Sequence, residues 1–226
     1  MNDMAGIAEQ ISQTNSFQGL APPIQVAIFL GAMALLSSIV VSLTAFTRIA
    51  IVLSFTRRAL STPEIPPTPV LIGLSLFLTM FVMGPTIDRI HADAVDPWVR
   101  ESISGIDASR VAWSHLKVFM LRHTRKKELT LFLELSRSGP VETAAQVPGR
   151  ALVPAFIVSE LKTAFVMGFC IYVPFLLVDF VVATVLMSLG MMMMPPVVVS
   201  TPFKILLFVL ADGWYLVARS LSLSFG

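Results

Sequence analysis

Met191, Met192, Met193 and Met194 stand in a row between Gly190 and the prolines Pro195 and Pro196. Clustered thioethers can fill an irregular core, ligate Cu(I) as soft donors, or line an aperture that deforms when something passes. Copper fits poorly, because no histidine lies near and consecutive positions cannot aim all four sulfurs at one ion. Gap-filling is the usual role of methionine. A seal needs copies of the turn around an axis and a place at the inner tip of a hairpin, which the flanking glycine and prolines would make. Core and seal both remain open on these residues alone.

A second group is chemically out of place. Arg48, Glu160, Lys162, Asp179, Lys204 and Asp212 all sit within apolar stretches. Facing lipid, each would cost about 2.5–3.5 kcal/mol, so they must face protein or water. In a helical hairpin closed at Gly190–Pro196, Asp179 lies roughly 15 Å from the turn and Lys204 roughly 10 Å, a difference the lysine stem bridges, so an intrachain pair is expected. Glu160 and Lys162, two positions apart on a helix, point away from each other and need separate partners, which suggests contacts between subunits. "DRIHADAVD" offers Asp88, His91, Asp93 and Asp96 as metal ligands, but the spacing is equally that of a solvated helix end. The basic run Arg125–Lys127 reads as a solvated face, and Trp98 and Trp113 as interfacial anchors or packing residues. No HExxH, phosphate-cradling glycine loop or Cys-His pair occurs on the apolar helices, so the chain does not read as an enzyme and no cofactor is expected. Cys170 stands alone and permits no intrachain disulfide.

The elements that must position these residues follow from composition. The chain has 226 residues, of which 55% are hydrophobic and 13% charged, with a mean hydropathy of +0.81. That places it with membrane-associated proteins, and a net charge of +2 gives no argument for nucleic acid. Residues 1–23 carry acids but no Lys or Arg, lack the basic start of a secretory signal peptide, and read as a polar, mobile arm. Residues 24–87 form an apolar helical hairpin whose first arm, Ile24 to Leu60, would be roughly 55 Å long and must either break or project beyond a ~30 Å hydrocarbon core. "STPEIPPTP" ends that arm. Residues 88–150 hold most of the charge, all three histidines and two of the three tryptophans. They read as an extramembrane segment with two short amphipathic helices around a basic knuckle. Residues 151–226 are an apolar hairpin carrying the methionine turn. Arg57 and Arg58 put the first connection in the cytoplasm and the long charged segment outside. A secondary transporter or ion channel is the main rival reading, weakened because no pair of Gly/Pro-broken segments occurs in corresponding halves.

Several long blocks, "FTRIAIVLSFTRRAL", "PPTPVLIGLSLFLTMFVMGP", "FMLRHTRKKELTLFLEL", "PAFIVSELKTAF", "PFLLVDFVVATVLMSLGMMMMPP" and "PFKILLFVLADGW", occur in order. Through them the chain, from about Leu43 to Phe225, resembles the FliP/SctR family of type III export-gate proteins, and its wording is closer to the flagellar than to the injectisome branch. The resemblance implies an all-α, membrane-associated, non-enzymatic gate subunit of long helices and bent hairpins. In it several copies, a pentamer by family expectation, assemble with FliQ and FliR in a helical cone at the inner membrane of the flagellar basal body, projecting to the periplasmic side. FlhB, FlhA and unfolded flagellar export substrates are the further partners it implies. Met191, Met192 and Met193 fall on the family's channel-sealing methionine loop, with Met194 at a position where other apolar residues are common. The six buried ionisable residues fall on polar family positions, with assembly contacts implied. Family members often begin with a cleavable signal peptide, which residues 1–23 do not read as, and Val166 stands where the family usually carries a longer polar residue.

Overall fold

The computed structural model describes residues 21–62, 64–137, 143, 146–191 and 193–226. The expected mobile arm lies almost entirely outside the described residues, as does Met192. Among the described residues every regular element is helical. The chain divides into two compact units, Met1–Val41 and Ser42–Gly226, a division that follows contacts and not the composition boundaries at 23, 87 and 150.

The described part of the first unit is helix α1, Pro22–Ser42, which is apolar all round and has no polar face. The helix that the sequence offers as continuous to Leu60 leaves helical geometry over Leu43–Ala45. There the Thr44 hydroxyl accepts the Phe46 N–H at 3.4 Å, a local alternative to a helical carbonyl.

In the second unit, α2 (Phe46–Ala59) buries Ile49, Val52, Leu53, Thr56 and Ala59, the three- and four-residue spacing of one helix face. Arg57 in its last turn donates to the Thr68 hydroxyl at 3.0 Å, tethering the proline-rich connection to the start of α3 (Thr68–Ile90). Helix α3 buries only a narrow strip, Leu71, Ser75, Thr79 and Met83. Its two hydroxyls bond back to carbonyls four residues earlier, which lets them lie buried with no external partner. A wider π-helical turn, His91–Val95, leads into the short α4 (Asp96–Val99).

Helix α5 (Gly105–His123) starts at Ser104, whose hydroxyl accepts the Asp107 N–H at 3.1 Å. It stops at Thr124 and Arg125, after which α6 (Lys126–Leu135) begins, so two helices do flank the basic knuckle. Phe119 and Met120 are the buried part of the expected apolar face on α5.

Helix α7 (Gly149–Ser188) has 40 residues and is roughly 60 Å long. It is the spine against which α2, α5, α6 and α8 (Pro196–Leu210) pack. Its small buried residues, Ala151, Ala155 and Ser159 at four-residue spacing and Ala164 and Gly168 further along, admit its neighbours closely. At Gly168 a Cβ would fall 2.6 Å from the Phe55 ring, so only glycine lets α2 approach there. Helix α9 (Gly213–Leu223) closes the chain after a 63° bend from α8.

Among the described residues two runs are long and apolar enough to cross a membrane, Thr68–Val99 with mean hydropathy 2.1 and Gly149–Ser188 with 2.4; the bent pair α8–α9 is a third if counted as one broken span.

Candidate functional site

Three ion pairs hold the second unit together. Arg48 on α2 is 3% exposed and grips both carboxylate oxygens of the fully buried Glu160 on α7, with Nε donating to Oε2 at 2.8 Å. Its Nη1 donates to the carbonyl and hydroxyl oxygens of Ser224, both at 2.9 Å, and the guanidinium lies 3.8 Å from the centre of the Phe225 ring. One side chain thus joins α2, α7 and the C-terminal turn. A buried charge is tolerable only with such complete hydrogen bonding, and the fork of arginine supplies it.

The second pair is Lys204 on α8 with Asp179 on α7, Nζ to Oδ2 at 2.6 Å. The hairpin register expected from the sequence brings these two together. Lys204 is buried and also donates to the Ser61 hydroxyl at 2.8 Å, while the Ser200 hydroxyl donates to the other oxygen of Asp179.

The third pair is Lys162 on α7 with Glu128 on α6, Nζ to Oε1 at 2.8 Å. The Lys162 hydrogen bond holds the Glu128 carboxyl below the ordinary carboxylate range, against the opposing effect of desolvation. Its other oxygen, Oε2, is buried without a hydrogen-bond partner.

Glu160 and Lys162 therefore take separate partners, but the chain itself supplies both. Within the chain, 112 and 34 residues of sequence separation hid Arg48 and Glu128 as these partners. Asp212 takes no ion-pair partner among the described residues. It is exposed, sits at the α8–α9 bend with left-handed backbone (φ 49°, ψ 52°), and makes no capping bond to α9. The basic knuckle is more than a solvated face, because the Arg125 N–H donates to the Ser159 hydroxyl and its guanidinium to Thr163, both at 3.0 Å.

Sequence reasoning passed over Glu128, Ser159, Ser61 and Ser224. Ser159 accepts from Arg125 and donates to the His123 carbonyl at 3.1 Å, clasping the break between α5 and α6 onto α7. Glu128 had one available signal, being the lone acid in an otherwise apolar and basic stretch, "RKKELTLFL".

The methionine turn joins α7 to α8. Gly190, at φ +73°, donates its N–H to the Met187 carbonyl at 3.1 Å, and the Met191 N–H reaches the Leu186 carbonyl at 3.0 Å. This crossed pair of bonds ends a helix through a left-handed glycine. Pro195 and Pro196 then start α8, where a missing N–H costs nothing. Met193 is 99% exposed, and Met191 and Met194 are also exposed, so these three side chains fill no gap in the core of their own chain.

The acid-histidine stretch pairs off two by two, His91 with Asp96 at 3.5 Å and Asp93 with His115 at 2.9 Å. Among the described residues no three His, Cys, Asp or Glu side chains converge as a metal group would. The Trp113 ring lies against Gly149, a packing role, whereas Trp98 is exposed.

Long apolar helices, internally paired charges and an exposed sulfur-bearing turn define an all-helical membrane-embedded protein. The model of the FliP family matches residues 29–221, and the chain belongs to that family. It is 48% identical over 208 residues to the flagellar biosynthetic protein FliP of Bacillus subtilis (strain 168), covering 92% of this chain and 94% of that protein. Against the protein of the same name from Aquifex aeolicus (strain VF5) the identity is 48% over 208 residues, with 91% and 87% covered. The corresponding figures for Pectobacterium carotovorum subsp. carotovorum are 46% over 211 residues, with 93% and 82% covered.

Proposed function

We propose that this chain is a pore-forming core subunit of the flagellar type III protein export gate. It sits at the inner membrane with the assembled gate projecting to the periplasmic side, and unfolded flagellar subunits pass through it. Copies of the chain, five by family expectation, surround a shared axis with FliQ and FliR, and FlhB and FlhA are further export-apparatus partners. The methionine turns of the copies close the channel between passages.

The observation that carries this reading is the exposure of Met191, Met193 and Met194 at the tip of the α7–α8 hairpin. Apolar side chains left in the open by their own chain need a partner surface, and flexible thioethers suit one that changes shape. Internal pairing of Arg48, Glu160, Asp179 and Lys204 supports the reading too, because it lets hairpins with buried charge pack in an assembly without exposing ions.

Replacing Met191, Met192 and Met193 together by Ala tests the seal. In cells that express the chain with its partner subunits, the variant is expected to assemble and to leak small ions or molecules. Unchanged membrane tightness with normal assembly removes the seal from the proposal.

A further inference from the structure

The sulfurs of the α7–α8 turn stand in different surroundings from other sulfurs of the chain. Met83 and Met120 lie in the core, at 3% and 0% exposed. Met33 and Met80 are exposed, but each shares a helix face with large apolar side chains, Phe29 and Leu30 on α1 and Phe77 and Phe81 on α3. Such faces are covered by lipid or by a neighbouring copy. Met191, Met193 and Met194 instead line an open concavity of about 510 Å³ with Gly190 and Pro195. None of these five side chains carries a charge or a hydrogen-bond donor, and Met193 is 99% exposed.

A thioether is apolar, yet unlike a hydrocarbon it accepts an oxygen atom, and the sulfoxide that results is polar. An oxidant dissolved in water reaches a sulfur only where water does. A ring of turns that parts for each passing polypeptide meets water on both sides of the constriction and is wetted through whenever it opens.

We infer that the turn is a site of methionine sulfoxidation by peroxide, and that the modification opens the seal. The Sδ lone pair attacks one peroxide oxygen, the O–O bond breaks, an S=O bond forms, and the second oxygen leaves as water with both protons. Sulfur is thereby oxidised by two electrons and the peroxide reduced by two. The new oxygen is a strong acceptor that finds no donor among the side chains around it, so it draws in water. An apolar constriction closes by excluding water, and it fails once wetted. Each copy lends a turn to the same ring, so oxidation of one copy breaches the whole. The inference rests on the reading of the turn as the seal.

The full chain is prepared with Cys170→Ser, which removes an exposed thiol that also consumes peroxide. It is co-purified with its neighbouring subunits and placed in liposomes holding a self-quenched dye. After addition of hydrogen peroxide, dye release is followed together with the oxygen gained at each methionine, read by peptide mass spectrometry. Met191, Met193 and Met194 are expected to gain oxygen on the order of ten-fold faster than Met120, whose sulfur is reached only through local unfolding, and ahead of Met33 and Met80. Dye release should rise several-fold in step with them. Replacement of Met191, Met192, Met193 and Met194 together by Leu, which is apolar and of similar volume but holds no sulfur, should abolish the rise caused by peroxide. Met33→Leu with Met80→Leu should leave that rise intact. Oxidation of the turn no faster than of Met33 and Met80 overturns the inference and leaves the seal untouched. A peroxide-induced leak that persists in the Leu variant overturns it too, by placing the sensitive group elsewhere. Oxidised turns that stay tight, where the triple Ala variant leaks, overturn the opening step while the seal stands; if the Ala variant is tight as well, the seal itself falls and the inference with it.

Discussion

Arg48 shows how much one residue can carry in an apolar protein. Removing it by Arg48→Ala leaves Glu160 charged and buried, a situation that costs about 3–5 kcal/mol. The double replacement Arg48→Met with Glu160→Leu removes both charges and is expected to be far milder than either single change. Thermal unfolding of the detergent-solubilised protein checks the order; a double variant as unstable as Arg48→Ala would mean that Ser224 and Phe225, and not Glu160, are the contacts that matter. Glu128 makes a different prediction. Its folded pKa lies below the unfolded value, so its pairing with Lys162 contributes stability that is present above the ordinary carboxylate range and lost as pH falls through the depressed folded value. Lys162→Met removes the principal cause of the depression and should flatten the loss of stability on acidification that this carboxyl contributes, read as melting temperature against pH for the two proteins. At this scale the sequence shows which residues need partners and only sometimes which partners. Asp179 and Lys204 share a hairpin, so counting along two helices finds the pair; Arg48 and Glu160 are 112 positions apart and no count reaches across.

At the scale of elements, α7 organises the fold through what its surface lacks. Gly168 and the alanines beside it let α2 lie close, and the Phe55 ring occupies the space a side chain would take. Gly168→Val is therefore expected to push α2 away at a cost of about 1–3 kcal/mol, and Phe55→Ala in the same chain should recover part of it. A double-mutant cycle by thermal unfolding measures this; strictly additive losses would mean the two residues do not meet. The break over Leu43–Ala45 was legible as one of two outcomes, since a helix that long must break or project beyond a bilayer, but not as a position. Nothing in Thr44 alone distinguishes it from the many other hydroxyls along apolar helices. The knuckle between α5 and α6 was legible because the apolar face changes side there. That Ser159 of α7 clasps it was not.

As a whole the chain is membrane-associated, with its charge concentrated in residues 88–150 and in a few internal pairs. If residues 88–150 face outward, a single cysteine at Glu134→Cys, in a Cys170→Ser background, is labelled by an impermeant maleimide in intact spheroplasts. Labelling only after the cells are broken would place that segment on the cytoplasmic side. Glu134 and Cys170 are both exposed, so the two replacements are expected to be neutral for folding. Exposed apolar faces along α3, α7 and α8 are large for a single chain, and they suit burial in lipid and in an assembly of several copies.

Composition alone determined that the chain is helical and membrane-associated, because backbone groups in lipid must bond within their own segment and uninterrupted apolar runs of this length have few other outcomes. Local chemistry likewise determined the glycine-proline turn that mounts the methionines, since backbone angles and missing donors act over a few residues. What only the tertiary structure decided is which distant groups meet: Arg48 with Glu160 and the C-terminal turn, and Glu128 with Lys162. Those meetings depend on how helices pack side by side, where a few ångströms of approach, granted by residues as small as Gly168, select one set of partners from many that the pattern of charges would allow.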